Sequence, residues 1–475
     1  MVEMMLFSDA VYGVIELPDF LVRRVVDTPV FQRLRRIKQI GLGHLVYPSH
    51  DGTRFQHSLG AAYLVGRALD SLRASTERYV IPKLGPQERS ETRQLLELLD
   101  SLKPWFQYFM LLHDVGHGPL SHNYEDAVFE AKLIWGLEAP EAQQKKLHES
   151  VSKRIALKML EGECGGVTLA ERLCEESGNP GPCSEDPVKA VKSLLEPSPG
   201  LWDEELFQGI RTIYAFLSNG EIDVDRGDYL MRDAIMAGTR IGLFDYERLY
   251  SVLAIVPSDR GTPFEVAVLD KGVPSVESML ISRFYMYENV YYHKTTLLYS
   301  SVASRLMAWW LKEGAFPKIW EEEELERVDD CAFYRALFDE EDLTNLKEVV
   351  LKRKHEILVR KEVLNVTVNG SVEGLRFPAY KTEVDGVALA DLAREEPELL
   401  AYGASIRPFK AKRLNVFVRS EGKLVDLSTH SPVALNLSKV EHVKFYLAAP
   451  KRLEGLVGRL SEELKKRINL PRGAP

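Results

Sequence analysis

The chain is short of cysteine, of side-chain amides and of long apolar runs, and each shortage narrows what it can be. Four of its 475 residues are cysteine: Cys164, Cys174, Cys183 and Cys331. No two form a CxxC pair, so neither a zinc ribbon nor a disulfide framework is indicated, and a reduced setting is expected. Asparagine and glutamine together number 19, a scarcity that fits a thermophilic source. No run of 18 apolar residues occurs, so no membrane-spanning helix is expected. The first residues, Met1 to Phe7, carry Glu3 and lack a basic segment ahead of an apolar stretch, so a secretory leader is not expected either. A cytoplasmic location follows as the expectation. The net charge of −9 argues against broad, non-specific binding to nucleic acid, while leaving room for a local basic pocket that takes a small polyanion.

What is present is a helix-rich pattern with a compositional break. The length suggests two or three domains, or one large domain with a smaller attachment. Apolar residues recur at helical spacing in Phe20–Ile40, Leu59–Leu72, Thr92–Leu112 and Val276–Leu311, and the last of these predicts one long central helix. Between Glu161 and Trp202 three cysteines, the SGNPGP turn cluster and several acids change the texture, which reads as a surface insertion or lid (about 161–202). Phe264–Asp270 alternates and predicts a short strand. From about Asp330 a charged helix, Glu341–Glu362, precedes strand-like runs at Val363–Val368, Asn415–Arg419 and His442–Ala448 and a closing helix near Leu453–Ile468. The expected fold is mainly α, a helical core over 1–328, with a smaller α+β domain over 329–475.

The segment richest in chemistry is LLHDVGHGPLSH, Leu111 to His122. An apolar helix ends in His113-Asp114, and Gly116 and Gly118-Pro119 then break it. Neighbouring helix positions project about 100° apart, so this pair converges on one ion only off the helix flank, and the glycines let later side chains close in. Imidazole with carboxylate suits divalent transition metals, and Mg²⁺ favours the carboxylate side. Two ligands are too few. RFQHSLG offers His57 at the start of a helix, with Arg54 a turn earlier. GEIDVDRGDYLMRD offers Asp225 beside Asp223, Asp228 and Asp233, and His148-Glu149 opens another helix. Each residue alone has a bland reading. A lone helix histidine is most often a surface or capping residue, Asp223 reads as a helix N-cap, and the acids around Asp228 read as a solvated face. Four of the eleven histidines fall between His113 and His148, however, together with the HD doublet and the glycine-rich break.

These motifs resemble the HD superfamily, and among its members the SAM-and-HD-domain dNTP triphosphohydrolases and their bacterial dGTPase-like relatives. The likeness runs through VVDTPVFQRLRRIKQIG, RFQHSLG, LLHDVGHGPLSH, LHES, NGEIDVDRGDY and YYHK, roughly Ser8 to Leu311, with a weaker echo at EHVKFYLAAP. It implies a metal-dependent enzyme that takes a dNTP and water to deoxynucleoside and intact triphosphate. The implied ligands of the divalent ion (Fe, Mn, Mg, Ni or Zn) are His57, His113, Asp114 and Asp225. His122 is implied as the proton donor to the departing 5′ oxygen, with His117 and His148 neutralising phosphate oxygens or relaying protons and Glu149 orienting His148.

The resemblance also implies a substrate pocket. Arg54, Tyr229 and Arg283 match phosphate contacts, and Arg226 stands where the nearest relatives carry lysine. Gln39 and Asp233 match residues on the sugar 3′-hydroxyl, and Ile40 and Tyr291 match a wall that leaves no space for a 2′-hydroxyl. Asp27, Gln32 and Arg35, and separately Tyr47, Arg248, Lys271, His293 and Lys294, match nucleotide effector positions. Met5 and Leu269 stand where an expected lysine and arginine are lost, which weakens effector binding. No SAM-type helical domain is expected, because the likeness begins near Ser8. Relatives of this kind associate, so a homo-oligomer, dimer or tetramer, is expected. Two other readings stay open: a phosphodiesterase or phosphatase acting on another nucleotide or a nucleic-acid end, and a non-catalytic scaffold or nucleotide sensor.

Overall fold

The computed structural model describes residues 3–139, 147–198, 200–258, 261–373, 375, 379–407, 409 and 414–469. The axis of its main body is the helix Arg54–Tyr79. Thr53 and Gln56 form a capping box at its start, with Gln56 Oε1 accepting the Thr53 N–H at 3.0 Å. Leu59, Ala61, Leu64, Val65, Ala68 and Leu72 are all buried, on more than one face, as in a helix enclosed by others. Around it pack the helices Lys103–Leu112 and Val224–Met236 and the strand Leu253–Pro257. Among the described residues no helix is long and apolar enough to cross a membrane.

Several expected helices are broken. Phe20–Ile40 divides into a π turn at Val22–Val26, a short helix Pro29–Gln32 and a 3₁₀ turn Arg33–Arg36, because Pro29 has no N–H to continue the ladder. Thr92–Leu112 divides at Leu102, where Lys103-Pro104 opens a new helix. Val276–Leu311 is not one helix either. Val273–Met286 runs into a π turn, Tyr287–Tyr291, and Lys294–Glu313 starts afresh with His293 as its cap. The charged stretch Glu341–Glu362 keeps its helix only over Thr344–Leu351. Arg353 then takes a left-handed conformation (φ 53°), and the chain enters a strand at Leu358.

Ahead of the body lies an antiparallel hairpin, Met4–Asp9 with Gly13–Pro18, closed at Gly13 (φ 74°), which the sequence reading did not anticipate. The expected strand after residue 262 is present as Phe264–Leu269. It belongs to a four-stranded sheet in the order Lys423–Asp426, Asn415–Val418, Phe264–Leu269, Leu253–Pro257. Asn415–Val418 thus pairs, in parallel, with a strand of the helical body. A second sheet, in the order Leu400–Ile406, Val440–Pro450, Leu358–Asn369, is antiparallel. With the helix Glu454–Arg467 it encloses a separate core of Val363, Phe445, Leu447, Val457 and Leu460. The fold is mainly α, with a smaller α+β region at its C-terminal end.

Residues 161–198 and 200–202 carry a small hairpin, the helix Leu169–Glu176 capped by Thr168, and the helix Pro187–Lys192. Leu169, Leu173 and Leu194 join the main core, and Trp105 Nε1 donates to Leu173 O at 3.3 Å. Cys174 and Cys183 form a disulfide here, against the expectation of none. The pair is nine residues apart, a spacing that no CxxC rule captures, and the turn between the two helices brings the cysteines together. Cys164 and Cys331 are free and exposed.

Candidate active site

Three helices bring the HD doublet and its partners together. The helix Lys103–Leu112 buries Phe106, Tyr108 and Leu111 and ends just before His113-Asp114. His57 lies in the first turn of Arg54–Tyr79 and Asp225 in the first turn of Val224–Met236, which Asp223 caps by accepting the Arg226 N–H at 2.8 Å. His57 Nε2 lies 3.2 Å from His113 Nε2, 3.1 Å from Asp225 Oδ1 and 3.4 Å from Asp114 Oδ2. His113 Nε2 is 3.5 Å from Asp114 Oδ2 and 3.8 Å from Asp225 Oδ1. Ligands about 2.1 Å from a common ion and at right angles to one another stand about 3 Å apart, so the spacing of His57, His113 and Asp114 fits one divalent cation, and Asp225 stands against both imidazoles.

The tautomers fit as well. His113 Nδ1 faces the Met110 carbonyl at 2.7 Å, which only accepts, and His57 Nδ1 faces Asp228 Oδ2 at 2.8 Å. Each ring therefore keeps a hydrogen on Nδ1, which in the neutral form leaves Nε2, turned inward, as the acceptor a metal-bound histidine needs. Asp228 is fully buried rather than part of a solvated face. Arg232 grips it at 2.8 and 2.9 Å, and Asp9 of the hairpin grips Arg232 at 2.8 Å. Gly60 is what admits this pair, since a Cβ there would stand 2.7 Å from Asp228 Cγ. Burial opposes a charge on His57, but hydrogen bonds that the ring donates to Asp225 and Asp228 outweigh it and push the ring up to about 10. Burial likewise opposes ionisation of Asp114, yet Arg54 and His113 hold it well below the usual carboxylate range.

Beside this set is a second cluster. His117 stacks on His148 with centroids 3.9 Å apart, and His122 meets both edge-on at 4.8 and 5.3 Å. Glu125, one turn after His122, binds His122 Nδ1 at 2.8 Å with one oxygen and His148 Nδ1 and backbone N–H with the other. Sequence reasoning gave the orienting role to Glu149, which is exposed. Adjacent helix positions point about 100° apart, and the i, i+3 spacing His122-Glu125 was the signal that could have found the right carboxylate. Burial, with Arg54 and His148 nearby, holds His117 well below the ordinary histidine range, so it is neutral. Its Nε2 lies 3.3 Å from Asp114 Oδ1, which joins the two clusters. Gly116 lets them close, since a Cβ there would stand 2.6 Å from Ser152 N.

The remaining candidates divide. Arg54 is buried and donates to Asp114 Oδ2 at 2.5 Å and to Ser121 Oγ at 2.8 Å. Tyr291 donates to Asp233 Oδ2 at 2.8 Å, and His50, missed in the sequence, meets Asp233 Oδ1 at 3.1 Å. Gln39 is buried, and its Oε1 has no hydrogen bond among the described residues. Ile40 is half-buried. Tyr229 lies edge-on to His57 at 6.2 Å and to Tyr291 at 6.0 Å, and its hydroxyl is 3.1 Å from that of Tyr287. Arg226 is tied to Asp223 and Gly220, and Arg283 to Glu221 at 3.2 Å. Among the effector candidates, Arg35 lies over Phe55 and donates to Gln32, whose amide donates to the carbonyl of Val26, the residue before Asp27. Tyr47 faces His293 at 6.4 Å next to Lys294. Arg248 is exposed on Tyr246–Ser251, and Lys271 lies over Tyr79 at 3.7 Å.

Residues 244–371 match the family model described as the HD associated region. Over 470 residues the chain is 28% identical to the deoxynucleoside triphosphate triphosphohydrolase SAMHD1 of Homo sapiens, covering 94% of this chain and 66% of that protein. Over 291 residues it is 29% identical to YwfO, an uncharacterized protein of Bacillus subtilis (strain 168), covering 61% and 52%. It spans between about half and two thirds of the length of these curated relatives. A crystal structure of a phosphohydrolase from Bacteroides thetaiotaomicron VPI-5482 shares the fold, with a TM-score of 0.62 at 23% identity over 94% of this chain and 100% of that one. Fold and site define a class, and these findings support it: an HD-superfamily phosphohydrolase. That class implies a divalent metal, and His57, His113 and Asp114 form a group that could hold one.

Proposed function

We propose that this chain hydrolyses deoxynucleoside triphosphates to deoxynucleoside and intact triphosphate. The observation that carries the reading is the junction at Asp114: His57, His113 and Asp114, grouped closely enough for one divalent ion, share this aspartate with a carboxylate-backed trio of imidazoles. His57, His113, Asp114 and Asp225 would hold the metal, which when bound polarises phosphoryl oxygen and makes water nucleophilic. His122 is accessible, with 63% of its side chain exposed. Glu125 takes the hydrogen on Nδ1, so the proton given to the departing 5′ oxygen comes from Nε2 of the imidazolium form. His148, fixed by the same carboxylate, and neutral His117 hold phosphate oxygens. Arg54 meets a further one with the part of its fork not spent on Asp114 and Ser121.

The preference for deoxyribose rests on Gln39, Asp233, Ile40 and Tyr291, and on the names of the relatives. Asp233 is already bonded to His50 and Tyr291, so the wall next to it is pre-organised, and a rigid wall excludes a hydroxyl better than a soft one. The test is to incubate the protein with each dNTP and rNTP in Mn²⁺ or Mg²⁺ and separate the products by chromatography, with Asp225→Ala alongside. Deoxynucleoside plus triphosphate, absent with the variant, supports the reading. Turnover of no triphosphate ends it and moves the search to phosphodiesters and monophosphates.

A further inference from the structure

Asp330 lies at the start of the helix Asp330–Asp339, far along the chain from every residue assigned a role above, yet it reaches into the site. It is buried, and its two oxygens accept main-chain N–H groups from two different loops. Oδ1 takes Leu120 at 2.6 Å and Oδ2 takes Lys38 at 2.9 Å. The first loop runs directly into His122. The second runs directly into Gln39 and Ile40. A third bond ties the loops to one another, from Ser121 Oγ to Lys38 O at 2.7 Å, and Arg54 Nε donates to that same hydroxyl.

The first loop needs such a tie. Leu120 and Ser121 both have positive φ, 57° and 60°. Residues with a Cβ rarely adopt this conformation, and it persists only where surroundings enforce it. A carboxylate accepting the Leu120 N–H from behind is an enforcing group. Chain entry into Asp330 is itself pinned, since Arg36 pairs with Asp329 and Arg33 donates to Val328 O and Val115 O.

We propose that Asp330 is a positioning residue: it sets the spacing between the loop that carries His122 and the loop that carries Gln39 and Ile40, and so acts on proton delivery and on substrate recognition together. The kinetic half of this inference rests on the roles given above to His122, Gln39 and Ile40. The structural half does not.

Asp330→Asn tests it, because the carboxamide keeps the shape but has one acceptor for two N–H groups. Kinetics would be measured on the metal-loaded full chain, together with metal content and hydrogen exchange by mass spectrometry. The expected result is a fall in kcat of about ten- to a hundredfold with a several-fold rise in KM, metal content unchanged, and faster exchange confined to peptides spanning 36–41 and 118–125. A variant that merely loses folded molecules would lower kcat at constant KM, so an unchanged KM overturns the proposal, as does an unchanged kcat. If the wild type turns over no dNTP, the functional reading fails, and the exchange arm alone decides: unaltered exchange at either segment refutes the role of Asp330.

Discussion

Replacing Asp228 by asparagine should weaken metal binding without touching a metal ligand. Asp228 accepts His57 Nδ1 at 2.8 Å on Oδ2, and Arg232 at 2.9 and 2.8 Å on Oδ2 and Oδ1. A carboxamide cannot serve both sides. If its oxygen stays on Arg232, the NH₂ faces His57, the ring hydrogen moves to Nε2, and the atom aimed at the metal becomes a donor. If the oxygen turns to His57, an NH₂ is pressed on a buried guanidinium. Either way one buried donor is left unsatisfied, at about 1–3 kcal/mol. Since 1.4 kcal/mol is a factor of about ten, metal affinity should fall about ten- to a hundredfold, the range usual for partners of ligating histidines. Equilibrium dialysis against a Mn²⁺ series, with bound metal measured by mass spectrometry, reads this directly. Asp225→Ala serves as the loss control. Affinity within about twofold of wild type, beside a clear loss in that control, would refute the argument that the Nδ1 partner sets the ligand.

Three further outcomes are expected. Glu125→Gln should lower kcat about a hundredfold at unchanged metal content, because burial disfavours the Glu125 charge but bonds from His122 and His148 outweigh it, and the amide loses that anchor. A variant as fast as wild type would sink the imidazole assignment. Tyr291→Ala should raise rNTP relative to dNTP turnover about tenfold, and an unchanged ratio would remove Tyr291 as the excluding wall. Burial pushes Glu130 up to about 7 from 4.5, despite Arg305 beside it. A folded-state pKa above the unfolded one contributes stability that is complete below about pH 4.5 and lost as pH rises through about 7. Thermal melts of the wild type should therefore fall more steeply from pH 5 to 8 than those of Glu130→Gln, and parallel slopes would show that this carboxyl does not titrate there.

Legibility in the sequence followed chain distance. His113, Asp114, His117 and His122 could be read because they sit in one segment whose glycines mark a break, and His57, Asp225 and His148 because their motifs recur in order. Glu125 and Asp228 were visible one turn from residues already chosen. Their roles depend on which way a side chain faces, and a carboxylate on a helix reads as solvated until a buried partner is seen. His50 and Asp330 carried no local signal. Asp330 meets Leu120 across 210 positions, and nothing near either residue records that contact. The break at Tyr287–Tyr291 has no proline or glycine to announce it, whereas the one before Pro104 does. Cys174 and Cys183 were legible as residues and not as a pair.

The site's charge balance gives the hairpin Met4–Pro18 a reason to be where it is. Asp228 is buried without solvent and carries a charge that must be matched. Arg232 matches it, but a guanidinium against one carboxylate still has donors to place, and Asp9 takes them. Asp9 in turn accepts the backbone N–H groups of Val11 and Tyr12 at 2.8 and 3.1 Å, so the tight turn of the hairpin is built on the same carboxylate. The orientation of His57 is thus set through Asp228 and Arg232 by a turn at the chain's edge. The strand pair thus does two things: Ile15 and Leu17 of its second strand enter the helical core, and Asp9 at its turn supports the candidate ligand His57.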